Sequence, residues 1–348
     1  MGDRVRISGG ALELPGGVTV RFMRTLRLPE TGTHPLPPGI GTFPLRRVAD
    51  YPERAPADWL TRGGVMLPVY QREAMWLSFS SPVPAALQVG VGKVCAISGR
   101  PWSDRLSQDP QNYVVLPRQP WLDGINSGSG TIRQFVAVPL GLGATVEGQV
   151  SGEEVWGGVQ LQVFELRDEP LAAWRAEQER RAVATRGPWG VAAEDGMAPT
   201  AAGYGAAMPM AARAAPAPGA VPAAPSMGLG AGGRMRQEVY RDERLPGDWR
   251  TAPSGRVFVH LATAPHWRQI TGEAAPPSPV DRAAYNAAGL PWFDYYDADA
   301  ADLDAAGPLA DVKPVGDWLG DDQQPWVPVQ PGQVKKLKDE GQVADGDW

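Results

Sequence analysis

Short apolar runs separated by glycine and proline recur along the first half of the chain. Runs of about four to eight residues between turn-forming residues predict β-strands. Two of them, Leu87 to Val91 and Val159 to Phe164, alternate with a period of two, the pattern of a strand with one buried face. The predicted strands are Val18 to Leu28, Val65 to Leu67, Trp76 to Phe79, Leu87 to Val91, Val114 to Leu116, Phe135 to Val138 and Val159 to Phe164.

The apolar spacing becomes helical between Pro170 and about Arg186. Pro170 suits the first turn of a helix, and Gly187-Pro188 suits its end. A charged helix with a single apolar stripe is typical of a cover for a sheet. The residues on that stripe are Leu171, Trp174, Gln178 and Ala182.

A stretch with nothing to bury follows this helix. From Gly196 to Ser226, 23 of 31 residues are alanine, proline or glycine, and Arg213 carries the only charge. Because small side chains offer little surface for a core and prolines interrupt helices, this composition predicts a disordered linker. Beyond it, the pattern predicts strands at Met235 to Tyr240 and Arg256 to Leu261, helices at Pro265 to Thr271 and Val280 to Ala288, and an apolar anchor at Leu290 to Phe293.

These patterns together predict a mainly β protein with a sandwich or barrel-like N-terminal domain and a small α+β C-terminal part docked on it. The predicted boundaries are a β-rich domain at 1–168, a covering helix at 169–186, a disordered Ala/Pro/Gly linker at 187–226, the small α+β part at 227–295, and an acidic, largely irregular tail at 296–348.

Charge and apolar content exclude several classes of protein. The net charge of −6 is concentrated near the end, since Asp294 to Trp348 holds 13 acidic and 4 basic residues. No basic stripe marks a nucleic-acid surface, and no apolar run reaches the length of a membrane span. The single cysteine, Cys95, lies in an apolar run and is expected in the core. Without a signal-peptide pattern, these features predict a soluble cytoplasmic protein.

The motifs that suggest chemistry lack the context that such chemistry needs. Gly228 to Gly233 has the spacing of a dinucleotide-binding loop, but no strand precedes it and no helix follows. The aspartates around Asp297 lack the glycine and glutamate of a calcium-binding loop. Three histidines and one distant cysteine do not form a zinc site, and Ser127 and Ser129 do not lie in a nucleophile elbow. We expect no catalytic residue, no metal and no cofactor.

The segment from Gln119 to Gln134 is the richest in candidate functional side chains. Two arrangements are compatible with it. Its residues could line a polar pocket with an aromatic floor, or Asp123 and Arg133 could form a buried ion pair that holds a long loop against the sheet. The candidate ligand-binding residues are Trp121, Asp123, Arg133 and Gln134.

Several distinctive strings resemble an uncharacterised bacterial protein family whose fungal relatives sometimes carry a ubiquitin-like segment. The family has no established activity, so the resemblance implies no catalytic residue, and this chain shows no ubiquitin-like segment of its own. The matching strings are Leu67 to Glu73, Gln119 to Ile125, Arg133 to Gly141, Gly228 to Gln237 and Leu290 to Phe293.

The leading functional hypothesis is a non-enzymatic protein-interaction or self-assembly protein, a scaffold with protein partners or a homo-oligomeric state. It rests on a β-rich body, a flexible tether and the lack of a catalytic pattern. The alternatives are a small-ligand or glycan-binding module that uses residues 119–135, and an enzyme of unfamiliar type.

Overall fold

A computed structural model describes residues 5–30, 32–37, 39–185, 226–277, 303, 307–319 and 341–342 of the chain. Its strands are β1 Arg6–Ser8, β2 Ala11–Leu14, β3 Val18–Thr25, β4 Thr33–His34, β5 Gly39–Thr42, β6 Arg46–Arg47, β7 Val65–Val69, β8 Ala74–Ser80, β9 Ala85–Val91, β10 Val94–Cys95, β11 Val114–Leu116, β12 Trp121–Leu122, β13 Gly124–Gly128, β14 Thr131–Pro139, β15 Val159–Glu165, β16 Met227–Arg236, β17 Gly255–Thr263 and β18 Gly341–Gln342. Its α-helices are α1 Ala57–Arg62, α2 Val146–Ser151, α3 Asp168–Thr185, α4 Ala264–Thr271, α5 Gly307–Ala310 and α6 Val315–Leu319, with 3-10 turns at Pro15–Gly17, Val48–Asp50 and Pro246–Asp248.

The chain is mainly β, as predicted, and its strands form one large, mostly antiparallel sheet. One run of this sheet passes from β1 through β2, β3, β8 and β14 to β16. A second run passes from β9 through β15 and β17 to β7, and its last pair is parallel. The two runs join where Met227 of β16 pairs with Leu261 of β17.

The predicted C-terminal part docks on the N-terminal strands through backbone pairing. Strand β17 lies between β15 and β7, and β16 pairs with β14 over most of its length. These strands are therefore inner strands of the same sheet. Side chains from both runs share the main core, for example Phe22 and Leu77 from the first run and Val89 and Leu161 from the second.

Strand β15 forms where the alternating pattern predicts it, but both of its faces are buried. Gln160 and Gln162, on the face opposite Val159 and Leu161, are almost completely inaccessible. Gln160 accepts a hydrogen bond from Lys93 N at 2.9 Å, and Gln162 donates to Ser103 O at 2.7 Å. The prediction of a single buried face is wrong because a neighbouring loop covers the second face and satisfies its amides.

The glycine-rich run belongs to a strand rather than to a flexible entry into one. Strand β16 begins at Met227 and includes every residue from Gly228 to Gly233. A Cβ atom at Gly230 would lie 2.7 Å from Ala144 O, and one at Gly233 would lie 2.2 Å from Pro29 O. Glycine is needed here because other backbone segments pass directly against the strand.

Helix α3 forms as predicted, but it contributes little cover to the sheet. Leu171 packs against a small cluster around Tyr113 and Trp249. From Gln178 to Val183 every side chain is exposed. The helix therefore rests on the body through its first half only.

Several predicted features lie outside the described residues. They are the linker at 187–226 apart from Ser226, the helix Val280 to Ala288, the anchor Leu290 to Phe293 and most of the tail at 296–348. Within the described part of the chain, no helix is both long enough and apolar enough to span a bilayer.

Candidate functional site

The predicted candidate residues lie together on the β12–β13–β14 segment. Trp121 is in β12, Asp123 lies between β12 and β13, and Arg133 and Gln134 are in β14. Ile125 pairs with Arg133 and Gly124 with Gln134. The backbone thus brings the four residues into one neighbourhood, although their side chains have different surroundings.

Asp123 and Arg133 do not form the predicted ion pair. The β13–β14 register places the Asp123 carbonyl opposite Phe135, whose N–H donates to it at 3.0 Å. Arg133 is two positions further along β14, about 7 Å away along a strand, and pairs with Arg234 on its other side. Both Asp123 carboxylate oxygens and the Arg133 Nε and Nη1 atoms are buried without a hydrogen-bond partner among the described residues.

Burial controls the charge of Asp123. The residue is 1% exposed, and desolvation raises the pKa of its carboxyl well above the usual value. The Trp121 side chain acts in the opposite direction and lowers this pKa. Burial therefore favours the protonated form of Asp123.

Gln134 has a structural role. Its amide donates to Leu26 O at 2.9 Å, and its oxygen accepts from Leu28 N, also at 2.9 Å. It fixes the segment that follows β3 against β14. Trp121 is half-buried and packs on the main core.

A second group of side chains, around Lys93, was not predicted from the sequence. Gly92 and Lys93 form the two-residue turn between β9 and β10. Both have left-handed φ angles, 57° and 64°, which two-residue hairpin turns of type I′ require. The turn presents the half-buried Lys93 side chain with its Nζ 4.7 Å from the centre of the Trp156 ring.

Glu147 of α2 fixes the loop that carries this tryptophan. Its buried carboxylate accepts hydrogen bonds from the backbone N–H groups of Val155, Trp156 and Gly157 at 3.2, 2.9 and 2.8 Å. Arg62 contacts the same ring, with its Cζ 4.7 Å from the ring centre. The tryptophan is therefore held by its backbone and contacted by two cationic side chains.

Lys93, Glu147 and Trp156 border a cavity of about 340 Å³. Lys93 and Arg100 contribute cationic groups, Glu147 and Glu153 contribute carboxylates, and Trp156 and Pro308 contribute apolar surface. The volume lies at the lower end of the range for small-molecule sites. An apolar lining with a few convergent polar groups is the usual composition of such a site.

Burial and charge shift the pKa of the Lys93 ammonium group. Burial is the largest cause, and Arg256 and Arg62 act in the same direction, lowering the pKa to about 8. A substantial fraction of the amine is then neutral near physiological pH, which makes it a better nucleophile than an exposed lysine.

A larger crevice of about 810 Å³ lies at the end of β15 near the start of α3. Its lining consists mainly of loop residues, including Thr251 to Ser254, together with the exposed ion pair between Arg250 and Asp168. None of the described residues that line this crevice is a buried polar residue, so the smaller cavity is the better candidate.

Other reactive side chains are placed as structural groups. Cys95 is buried, as predicted, and its thiol donates to Asn112 O at 3.3 Å, while burial raises its pKa. Burial lowers the pKa of His260 to about 3, so the ring is neutral and stacks on Trp59. Among the described residues, no group of three or more histidine, cysteine, aspartate or glutamate residues is arranged to hold a metal.

Three of the exposed large apolar side chains surround another loop, which spans residues 141–145. The Glu154 carboxylate accepts hydrogen bonds from the N–H groups of Gly141, Gly143 and Thr145. Leu142, Val155 and Trp318 are 49%, 54% and 46% exposed. We call these three residues the apolar patch.

Two observations place the members of the patch at the same loop. A Cβ atom at Gly143, next to Leu142, would lie 3.5 Å from the Trp318 ring. Val155 directly follows Glu154, whose carboxylate holds the same loop. Burial would raise the pKa of Glu154, but the hydrogen bonds from Thr145, Gly143 and Gly141 outweigh it and lower the pKa.

Comparisons with known proteins give no similarity: no family model matches the chain, and no match is found among curated proteins or solved structures. The sequence does contain one indication of the Lys93 site. Among its five lysines, Lys93 is the only one before Lys313, whereas the other cations of this long segment are arginines.

Proposed function

We propose that this protein is a non-enzymatic interaction protein that self-associates through the apolar patch of Leu142, Val155 and Trp318. The observation that supports this function is the grouping of three exposed large apolar side chains around one fixed loop. Apolar surface of this kind marks interaction sites more often than isolated exposed side chains do. Tryptophan is also among the residues that contribute most to binding energy at interfaces.

Charges around the patch favour a second copy of the chain as the partner. Glu153 is two residues before Val155 and Asp317 is next to Trp318 in the chain, both are exposed, and the Lys313 Nζ is 6.0 Å from the centre of the Trp318 ring. A surface that carries both signs can match itself across a twofold axis, so that each lysine faces an acidic group of the other copy. Three side chains bury a small area, so we expect weak, concentration-dependent association.

Sedimentation velocity of the full chain over a concentration series tests this proposal. We expect the sedimentation coefficient of the parent to rise with concentration and that of Trp318→Ser to remain at the monomer value. The matched control is Leu245→Ser, which removes a large apolar side chain that is 71% exposed outside the patch. This control should associate like the parent.

Two results would contradict self-association. The first is a parent protein that remains monomeric at the highest concentration reached. The second is an equal loss of association in Trp318→Ser and Leu245→Ser, which would indicate general surface stickiness rather than a defined interface.

The lone buried thiol of Cys95 supports a cytoplasmic location, where thiols remain reduced. Cell fractionation with a tagged full chain tests it.

A small-ligand-binding role is the second candidate function. It is supported by the cavity beside Lys93 rather than by residues 119–135, whose side chains are largely buried in the core.

A further inference from the structure

Lys93 differs from the other cationic residues of the body in both type and placement. It is the only lysine in the first 312 residues. A lysine retains a primary amine that can act as a nucleophile, whereas the guanidinium group of arginine stays charged. The turn that carries Lys93 also requires glycine at position 92, because a Cβ atom at Gly92 would lie 2.4 Å from Glu147 Oε2.

We infer that the cavity binds a small carbonyl compound that carries a carboxylate, with the carbonyl carbon attached to Lys93 as an imine and the carboxylate at Arg100. The inference rests on the amine at the cavity wall, the ring of Trp156 beside it, and a second cation lining the same space. It goes beyond self-association, because it assigns a ligand to the cavity, which shares only Val155 with the apolar patch.

The reaction needs no further reactant. The neutral Lys93 nitrogen attacks the carbonyl carbon, and a carbon–nitrogen bond forms. Both amine protons leave with the carbonyl oxygen as one molecule of water, and a carbon–nitrogen double bond remains. Water addition reverses the step, so the ligand is held reversibly.

Two neighbouring cations, together with burial, favour the neutral amine that this chemistry needs. Arg62 of α1 and Arg256 of β17 face it and lower its pKa, as burial does. The carboxylate of Glu147 on α2 accepts three backbone hydrogen bonds from residues 155–157, and Glu153 is exposed at the mouth of the cavity. A lysine near other cations and apolar surface is the usual environment of imine-forming lysines.

Imine trapping on the full chain tests the inference. The protein is incubated with glyoxylate and sodium cyanoborohydride, which reduces an imine to a stable carboxymethyl-lysine, and lysine peptides are mapped by mass spectrometry. Lys313 serves as an internal control in the same sample, because its ammonium also approaches a tryptophan ring but does not line the cavity.

We expect Lys93 to be labelled about 10-fold faster than Lys313 at pH 7, because the lowered pKa of Lys93 leaves more of its amine neutral. The labelling rate of Lys93 should rise with pH around a midpoint of about 8. Lys93→Arg should abolish labelling at this position without changing the labelling of Lys313.

A second arm tests the carboxylate. Arg100→Gln should slow the labelling of Lys93 by glyoxylate and leave its labelling by propanal, a neutral aldehyde, unchanged. Labelling of Lys93 no faster than that of Lys313 overturns the imine site. Equal slowing of both aldehydes by Arg100→Gln overturns the assignment of a carboxylate-bearing ligand. A failure of either arm leaves the self-association proposal standing, because that proposal is tested separately by sedimentation velocity.

Discussion

Asp123→Asn should become more stable relative to the parent protein as the pH rises. Asp123 is buried, both of its carboxylate oxygens lack a hydrogen-bond partner among the described residues, and desolvation raises the pKa of its carboxyl well above the usual value. In the unfolded chain the same carboxyl returns to an ordinary pKa of about 3.9. Asparagine has a similar shape but no proton to lose.

The direction follows from proton binding. Between the unfolded and folded pKa values, the native state keeps the Asp123 proton and the unfolded state has released it. The native state therefore binds more protons, and the free energy of unfolding falls by about 1.4 kcal/mol for each pH unit. The favourable contribution of Asp123 is fully present below about pH 4. It is lost as the pH rises towards the folded pKa.

Urea denaturation of the parent and Asp123→Asn between pH 4 and pH 8 measures the effect. The difference in free energy of unfolding should increase with pH by about 1.4 kcal/mol per unit over the interval in which the native carboxyl keeps its proton. A constant offset from the new amide does not alter this slope. Other buried carboxyls, such as Glu73 and Glu147, are common to both proteins and cancel in the difference.

Asp104→Asn removes an exposed carboxylate and controls for a change in surface charge. A stability difference between the parent and Asp123→Asn that does not change with pH would refute the protonated-core interpretation. A difference that falls with rising pH would show that Asp123 is an ionised residue with a partner.

Two substitutions test the packing around other buried groups by the same urea assay. Asp242→Ala should lower the free energy of unfolding by about 1–3 kcal/mol, because the Tyr113 hydroxyl and Trp249 Nε1, at 2.5 and 2.8 Å, lose a buried acceptor. An unchanged free energy of unfolding would mean that water replaces the lost Asp242 carboxylate as the acceptor. Gly64→Ala should cost about 3 kcal/mol or more, because φ is +80° and the added Cβ would lie 2.1 Å from Phe258 O. A loss below about 1 kcal/mol would mean that the turn relaxes at little cost.

The strands could be predicted because their apolar periodicity is local. Val65 to Leu67 and Leu87 to Val91 lie in β7 and β9, and Arg256 to Leu261 lies in β17. The pattern could not show whether the fold buries one face of a strand or both. The residues of β7 and β9 are buried throughout. A glutamine can lie in water or in a buried position where its hydrogen bonds are satisfied. Its polarity alone therefore does not distinguish an exposed glutamine from a buried one.

The candidate residues show the same limit. Asp123 and Arg133 have opposite charges and a separation that suits a hairpin, which made an ion pair plausible. Whether two side chains on paired strands meet depends on the register, and a shift of one position changes the partner. Predicting the Lys93 cavity would require the tertiary arrangement of several elements, since its walls come from β10, α2, the loop at 153–156 and α5.

The two proposed surfaces share one loop, and that loop depends on the carboxylates of Glu147, which is buried, and Glu154, which is partly exposed. Val155 belongs to the apolar patch and also lines the cavity, and Trp156 follows it directly. Glu147 binds the N–H groups of residues 155–157 from inside, whereas Glu154, within the same loop, binds those of Gly141, Gly143 and Thr145. The buried Glu147 carboxylate would lower stability unless several donors satisfied it, and it has three backbone donors. Because a ligand at Lys93 and a second copy at Trp318 would both contact this loop, any effect of one on the affinity of the other must be reciprocal.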